Sequence, residues 1–155
     1  MRLRILWPGK TKNREIRNLQ QHYLERINHI VACELVQTKE ARGIEEKFSD
    51  KIKEIEAKGL EKRFGDDYII CLFDGAKEMS SSEFASYLKD LGSSSTHGIS
   101  FVVGGFLGLS ERILKRADFL LSLSKMTFSH ELTRIILLEQ IYRALSLLRG
   151  RQYAK

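Results

Sequence analysis

The chain has no apolar run that approaches the roughly 18 residues needed to cross a bilayer. Cysteine is scarce: Cys33 and Cys71 are the only two in 155 residues. Each sits inside an apolar run, which suits a buried free thiol, and no spacing of ligand residues suggests zinc or another metal. No Gly-Lys-Ser/Thr follows the glycines at 104–108, so that loop is not a phosphate-cradling P-loop. There is no internal repeat, and no low-complexity tract beyond short serine runs. Met1 to Trp7 alternates arginine with apolar side chains, a strand pattern rather than a secretory signal, and the expected location is cytoplasmic.

What is present points to a folded domain. Apolar residues make up 43% and charged residues 30%, which excludes a disordered composition. The length predicts one domain over residues 1–155. A net charge of +6 suits a polyanionic partner.

Strand and helix patterns alternate along the chain. Leu3, Ile5 and Trp7 predict a first strand closed by Pro8-Gly9. Asn13 is placed to cap a helix whose apolar stripe is Ile16, Leu19, Tyr23 and Ile27. A second strand is expected over 31–36. Ile44, Phe48, Ile52 and Ile55 predict a charged surface helix with one buried face, which Gly59 ends or bends. A third strand over 68–73 ends at Asp74-Gly75. Ser80 and Glu83 form a capping box for a helix carrying Phe84, Tyr87, Leu88 and Leu91. A serine-rich connection spans 92–98. Such alternation predicts an α/β fold: a mostly parallel sheet with helices on both faces.

The stretch from Phe101 to Arg143 carries the chemistry. An apolar run over 99–103 stops at Gly104-Gly105-Phe106-Leu107-Gly108. A second run, 119–123, stops at Ser124-Lys125-Met126-Thr127-Phe128, and a long helix begins near Ser129. Two strands that end in loops feeding helices are the usual means of forming a ligand crevice in α/β proteins. Glycines let a ligand approach the backbone closely; the alternative is a turn that merely needs positive φ. His130 falls in the first turn of the last helix, where the helix dipole favours a neutral imidazole, the alternative being a capping or solvent-facing side chain. Glu139 and Arg143 are spaced as a helical pair, and on so apolar a helix Arg143 is expected at a subunit interface or facing RNA. Arg149, Arg151 and Tyr153 give the tail cations and a ring suited to RNA, or a frayed end. The last helix is apolar on nearly all sides, which predicts a homodimer packed through it; a wholly intramolecular core helix is the alternative.

Three blocks carry a more specific likeness. They are Phe101-Val102-Val103-Gly104-Gly105-x-x-Gly108-Leu109, then Ser122-Leu123-Ser124-x-Met126-Thr127-Phe128-x-His130-x-x-x-Arg134, then Glu139-Gln140-x-Tyr142-Arg143-Ala144. Together they resemble the ribosomal RNA large subunit methyltransferase H family, of the SPOUT class. The likeness covers essentially the full length and is most specific in the last third. It implies an α/β sheet with a C-terminal trefoil knot, which general rules of chain topology would not suggest. It implies S-adenosyl-L-methionine as cofactor, methylation of N3 of a pseudouridine in large-subunit rRNA on the assembled ribosome, and a homodimer whose sites are completed across the interface.

By position, the resemblance implies cofactor contacts at Leu72, Gly104, Gly105, Leu123, Ser124, Lys125, Met126, Thr127 and Phe128. It places His130, Arg134 and Arg143 near the site; catalytic roles are expected for His130, as the base, and Arg143, and RNA contacts from Arg134 and from Arg149, Arg151 and Tyr153 of the tail. The family tail ends Tyr-His, whereas Ala154 follows Tyr153 here, so no role for that histidine carries over. The competing functions are a SPOUT enzyme acting on tRNA and a non-catalytic ribosome- or RNA-binding module.

Overall fold

A computed structural model describes residues 1–94 and 97–150. Five strands form one sheet in the order β2-β1-β4-β3-β5, and every pairing is parallel. The strands are β1 (Arg2–Pro8), β2 (Ala32–Thr38), β3 (Tyr68–Glu78), β4 (Ile99–Val102) and β5 (Phe119–Ser122). The helices are α1 (Arg14–Asn28), α2 (Ser49–Glu61), α3 (Ser81–Ser94), α4 (Glu111–Arg116) and α5 (His130–Leu148).

Strand alternation divides the core in two. Leu3, Ile5, Trp7, Ile70, Ile99 and Phe101 face one side, where Leu24, Ile27, Phe84, Leu88, Leu137 and Ile141 cover them. That layer is α1, α5 and α3, with α5 packed against both neighbours. Leu6, Ile69, Cys71 and Val102 face the other side, beneath Ala57, Leu60 and Phe64 of the α2 region and Ile113 of α4. A strand places successive side chains on opposite faces, so a parallel sheet covered on both sides needs this double apolar pattern. Both thiols are buried, and burial pushes each up to about 12.

The predicted caps form. Asn13 Oδ1 accepts from the Ile16 amide at 3.0 Å. The Ser80 amide donates to Glu83 at 2.6 Å, and the Glu83 amide donates to Ser80 Oγ at 3.2 Å. A further cap, not read from the sequence, is Ser129, whose Oγ accepts from the Leu132 amide at 3.3 Å at the start of α5.

Three boundaries differ from the sequence pattern. First, α2 begins only at Ser49, and its buried face is Ile52, Ala57 and Leu60, while Phe48 and Ile55 are exposed. Of the apolar stripe read from the sequence, Ile52 is buried as expected, whereas Ile44 lies in the preceding loop. Gly59 lies inside this helix, where a side chain would meet Thr38 of β2. Second, β3 continues past Asp74-Gly75 to Glu78. Leu72 and Lys77 both pair with Leu121, so residues 73–76 leave the ladder as an excursion, and Gly75 turns it with φ +79°. Third, α3 runs on through Ser94, with the Ser93 and Ser94 hydroxyls donating to carbonyls one turn back.

Candidate active site

The carboxyl ends of β3, β4 and β5 surround one cleft of about 370 Å³. The excursion after Leu72 forms one wall, the glycine loop after β4 another, and the loop after β5 a third. His130 and Thr133 from the first turns of α5 complete it.

The glycine loop has a geometry only small residues allow. It folds back so that Gly105 and Gly108 form a bridge. A Cβ on Gly104 would lie 2.6 Å from the carbonyl carbon of Gly108, and one on Gly105 would lie 2.8 Å from Glu56 Oε2. Gly108 adopts φ +82° with open space where a side chain would point, leaving backbone accessible from the cleft. Burial raises the Glu56 carboxyl above its usual range.

The loop after β5 is braced from within and from β3. The Met126 amide donates to Ser124 Oγ at 3.0 Å, and the Ser122 hydroxyl donates to the Ser124 carbonyl at 2.9 Å. Thr127 Oγ1 donates to Asp74 Oδ2 at 3.1 Å. Leu72, Val103, Leu121 and Leu123 give the cleft apolar walls, with Phe106 69% and Met126 75% exposed at its rim.

His130 stands edge-on to the Phe106 ring, with centroids 6.2 Å apart. Partial burial and then the Arg134 charge push its pKa below 6.5, so the imidazole is neutral at pH 7 and able to accept a proton. Next to it, Glu131 accepts from the amides of Lys12 and Asn13 at 3.0 and 2.9 Å. This fastens the start of α5 to the start of α1.

The sequence-derived residues fall into three groups. Leu72, Gly104, Gly105, Leu123, Ser124, Met126, Thr127, Phe128 and His130 all line the cleft. Lys125, expected among them, is exposed and outside the lining. Arg134 is the clearest departure. Expected to contact RNA, it is 1% exposed. It donates to the Pro8 carbonyl at 2.8 Å and to Thr11 Oγ1 at 3.1 Å, and its guanidinium lies 4.7 Å from the centroid of the Trp7 ring. Its position one turn after His130 faces the inner side of α5, so it ties this helix to the end of β1, where Pro8 lies beside Gly105.

Arg143 pairs with Glu139 through bonds of 3.0 and 2.6 Å. It lies about 20 Å along α5 from His130 at 1.5 Å per residue, so one chain does not bring the two together. Arg149, farther along still, donates to the Ile30 carbonyl at 2.9 Å. Arg151 and Tyr153 lie outside the described residues.

The structure adds Lys53, Asp74, Phe106 and Thr133 to the cleft. Asp74 carried a signal, since a strand end next to a glycine turn is where α/β sites gather. Lys53 carried none, being one lysine among several on a charged helix.

The residues present fit a nucleoside methyl donor. Apolar walls suit an adenine ring, and exposed loop backbone suits its polar edge and the ribose. Among the described residues no helix is long and apolar enough to cross a membrane.

Comparisons with known proteins agree with this geometry. The family described as "Predicted SPOUT methyltransferase" matches residues 1–154. A Thermodesulfovibrio yellowstonii protein named ribosomal RNA large subunit methyltransferase H is 39% identical over 152 residues, covering 98% of this chain and 97% of that one. A protein of the same name from Clostridium beijerinckii is 37% identical over 159 residues, with both chains fully covered. Among solved structures, a probable methyltransferase from Bordetella pertussis superposes with TM-score 0.59 at 12% identity, covering 93% of this chain and 94% of that one. The tRNA (m1G37) methyltransferase of Aquifex aeolicus superposes with TM-score 0.53 at 15% identity, covering 100% of this chain and 74% of that one. At such identities these structures speak for the fold alone. The family match over nearly the whole chain and the full-length relatives place this protein in the SPOUT methyltransferase family.

Proposed function

We propose that this protein methylates N3 of a pseudouridine in large-subunit (23S) ribosomal RNA, using S-adenosyl-L-methionine, on the assembled ribosome in the cytoplasm. The observation that carries the reading is the convergence of three strand-end loops on one cleft that also holds His130, in a chain of this family. The relatives' shared name, ribosomal RNA large subunit methyltransferase H, supports the choice of RNA.

When bound, the cofactor supplies an electrophilic methyl group on a sulfonium sulfur. The chain's own residues bind and orient. Leu72, Leu123, Met126 and Phe128 enclose apolar surface, while the backbone of the glycine loop and of Ser124–Phe128 offers hydrogen bonds. Holding donor and acceptor in line supplies much of the acceleration. His130, neutral and at the cleft, takes the N3 proton; a positioned base contributes about 10²–10⁴-fold. The exposed Phe106 and Met126 give an unstacked base an apolar surface to rest on.

A homodimer belongs to this reading. Leu132, Leu147 and Leu148 of α5 remain exposed, and a second copy covering them explains an apolar outer face. Arg143 then contributes across the subunit boundary, and the trefoil knot implied by the resemblance is part of the same proposal.

The test offers ribosomes, isolated large subunits, free 23S rRNA and tRNA in parallel with methyl-labelled cofactor, followed by mapping of the modified nucleotide. Label at a pseudouridine of 23S rRNA is expected. Label only in tRNA, or cofactor binding without transfer to any RNA, overturns the proposal. A monomeric mass by sedimentation at micromolar concentration overturns the dimer.

A further inference from the structure

The cleft is lined mostly by apolar groups and backbone, yet it has two charged walls. Its lining includes one lysine, Lys53, and one aspartate, Asp74, beside the neutral imidazole of His130. They come from different parts of the fold. Asp74 belongs to the excursion of β3, whereas Lys53 projects from α2, which covers the opposite face of the sheet from α5.

α2 is held firmly where Lys53 leaves it. Ile52 is buried beside it, and one turn on Glu56 lies against Gly105. Lys53 therefore sits at the glycine loop on a rigid helix rather than on a loop. Lys12, Lys47 and Lys115 are each paired with a carboxylate. Among the described residues, no hydrogen bond or ion pair engages the Lys53 ammonium. Asp74 has one oxygen committed to Thr127, which leaves its other oxygen for a ligand.

A free cation and a half-free carboxylate at the edge of an apolar cleft match the two ends of an α-amino acid. A carboxylate entering such a cleft loses water and needs a cationic donor in return. We propose that Lys53 binds the α-carboxylate of the methionine portion of S-adenosyl-L-methionine. The inference deepens the methyl-donor reading above and rests on it. It makes α2, which contributes none of the three loops, part of the cofactor site.

Calorimetry on the full-length protein tests it with four compounds: S-adenosylmethionine, S-adenosylhomocysteine, decarboxylated S-adenosylmethionine and 5′-methylthioadenosine. The last two lack the carboxylate, and the last also lacks the amine. Lys53→Met is expected to weaken the first two roughly tenfold and leave the last two unchanged, which also shows that the variant is folded. Lys53→Arg recovers most of the loss. Lys58→Met, on an exposed part of α2, changes none of the four.

Equal weakening of all four compounds, or unchanged affinity for all four, overturns the assignment. So does a Lys53→Met effect confined to RNA affinity and its salt dependence, which assigns the cation to a phosphate instead. A wild-type protein that binds none of the four overturns the methyl-donor reading as well, which separates that failure from failure of the Lys53 role alone.

Discussion

Thr127 Oγ1 donates a 3.1 Å hydrogen bond to Asp74 Oδ2, and the two residues are 53 positions apart. The contact ties the loop after β5 to the excursion of β3, so two walls of the cleft share one brace. Thr127→Val keeps the shape and removes the donor. One hydrogen bond contributes about 0.5–1.5 kcal/mol, so cofactor affinity is expected to fall roughly threefold to tenfold, with Thr127→Ser near wild type. Calorimetry measures both, and equal affinity for Val and Ser at 127 refutes the brace.

Gly104→Ala tests the folded-back glycine loop. The new methyl would sit 2.6 Å from backbone of Gly108, and backbone cannot rotate away as a side chain can. Overpacking of this kind costs about 1–3 kcal/mol. Thermal unfolding should report that loss, and cofactor affinity should fall more than tenfold because the displaced backbone lines the cleft. An Ala variant with wild-type melting temperature and affinity contradicts the close approach.

Arg134 ties α5 to the end of β1. Burial lowers its pKa to about 10, so it remains cationic at pH 7 and holds Pro8, Thr11 and Trp7 together. Arg134→Met removes two charge-assisted hydrogen bonds and the cation–π contact, a loss of about 2–4 kcal/mol. Arg134→Lys restores only part, because one ammonium cannot reproduce the planar fork. Urea denaturation gives the values. If Met and Lys at 134 match the wild type in stability while RNA affinity drops, the side chain faces RNA after all.

His130 makes stability depend on pH in a defined direction. Its folded pKa lies below 6.5, so on acidification the unfolded chain takes up this proton first. Stability from this group therefore rises with pH through the window up to about 6.5 and falls on acidification. His130→Gln should narrow the difference in urea stability between pH 5 and pH 7.5. The same variant should slow single-turnover methylation about 10²–10⁴-fold with cofactor saturating, if the imidazole is the base. Near-normal turnover would falsify that role and leave the pH effect standing.

Much of the site was legible because the loops that line the cleft are contiguous. A strand followed by Gly104-Gly105 and another followed by Ser124-Lys125-Met126 can be read from apolar runs and their interruptions. The parts that were not legible depend on phase and depth. Arg134 lies four residues after His130, near it on the helix, and nothing in one dimension says that the guanidinium turns inward to Trp7. Phe48 and Ile55 matched a helical stripe with Ile52, yet the helix begins after Phe48 and buries Ile52 together with Ala57 and Leu60. Lys53 reaches the cleft only because α2 leans on Gly105.

The sequence by itself determined the alternation of strands and helices, the caps at Asn13 and Ser80, and the two loops that line the cleft. Those features arise from local periodicity and from hydrogen bonds within a few residues. Only the tertiary structure decided which charges are buried, that the excursion of β3 closes on Thr127, and that a helix from the far face of the sheet supplies the cation. Such features depend on distances between residues far apart in sequence, which are fixed only when the parallel sheet orders its strands and both apolar faces are covered.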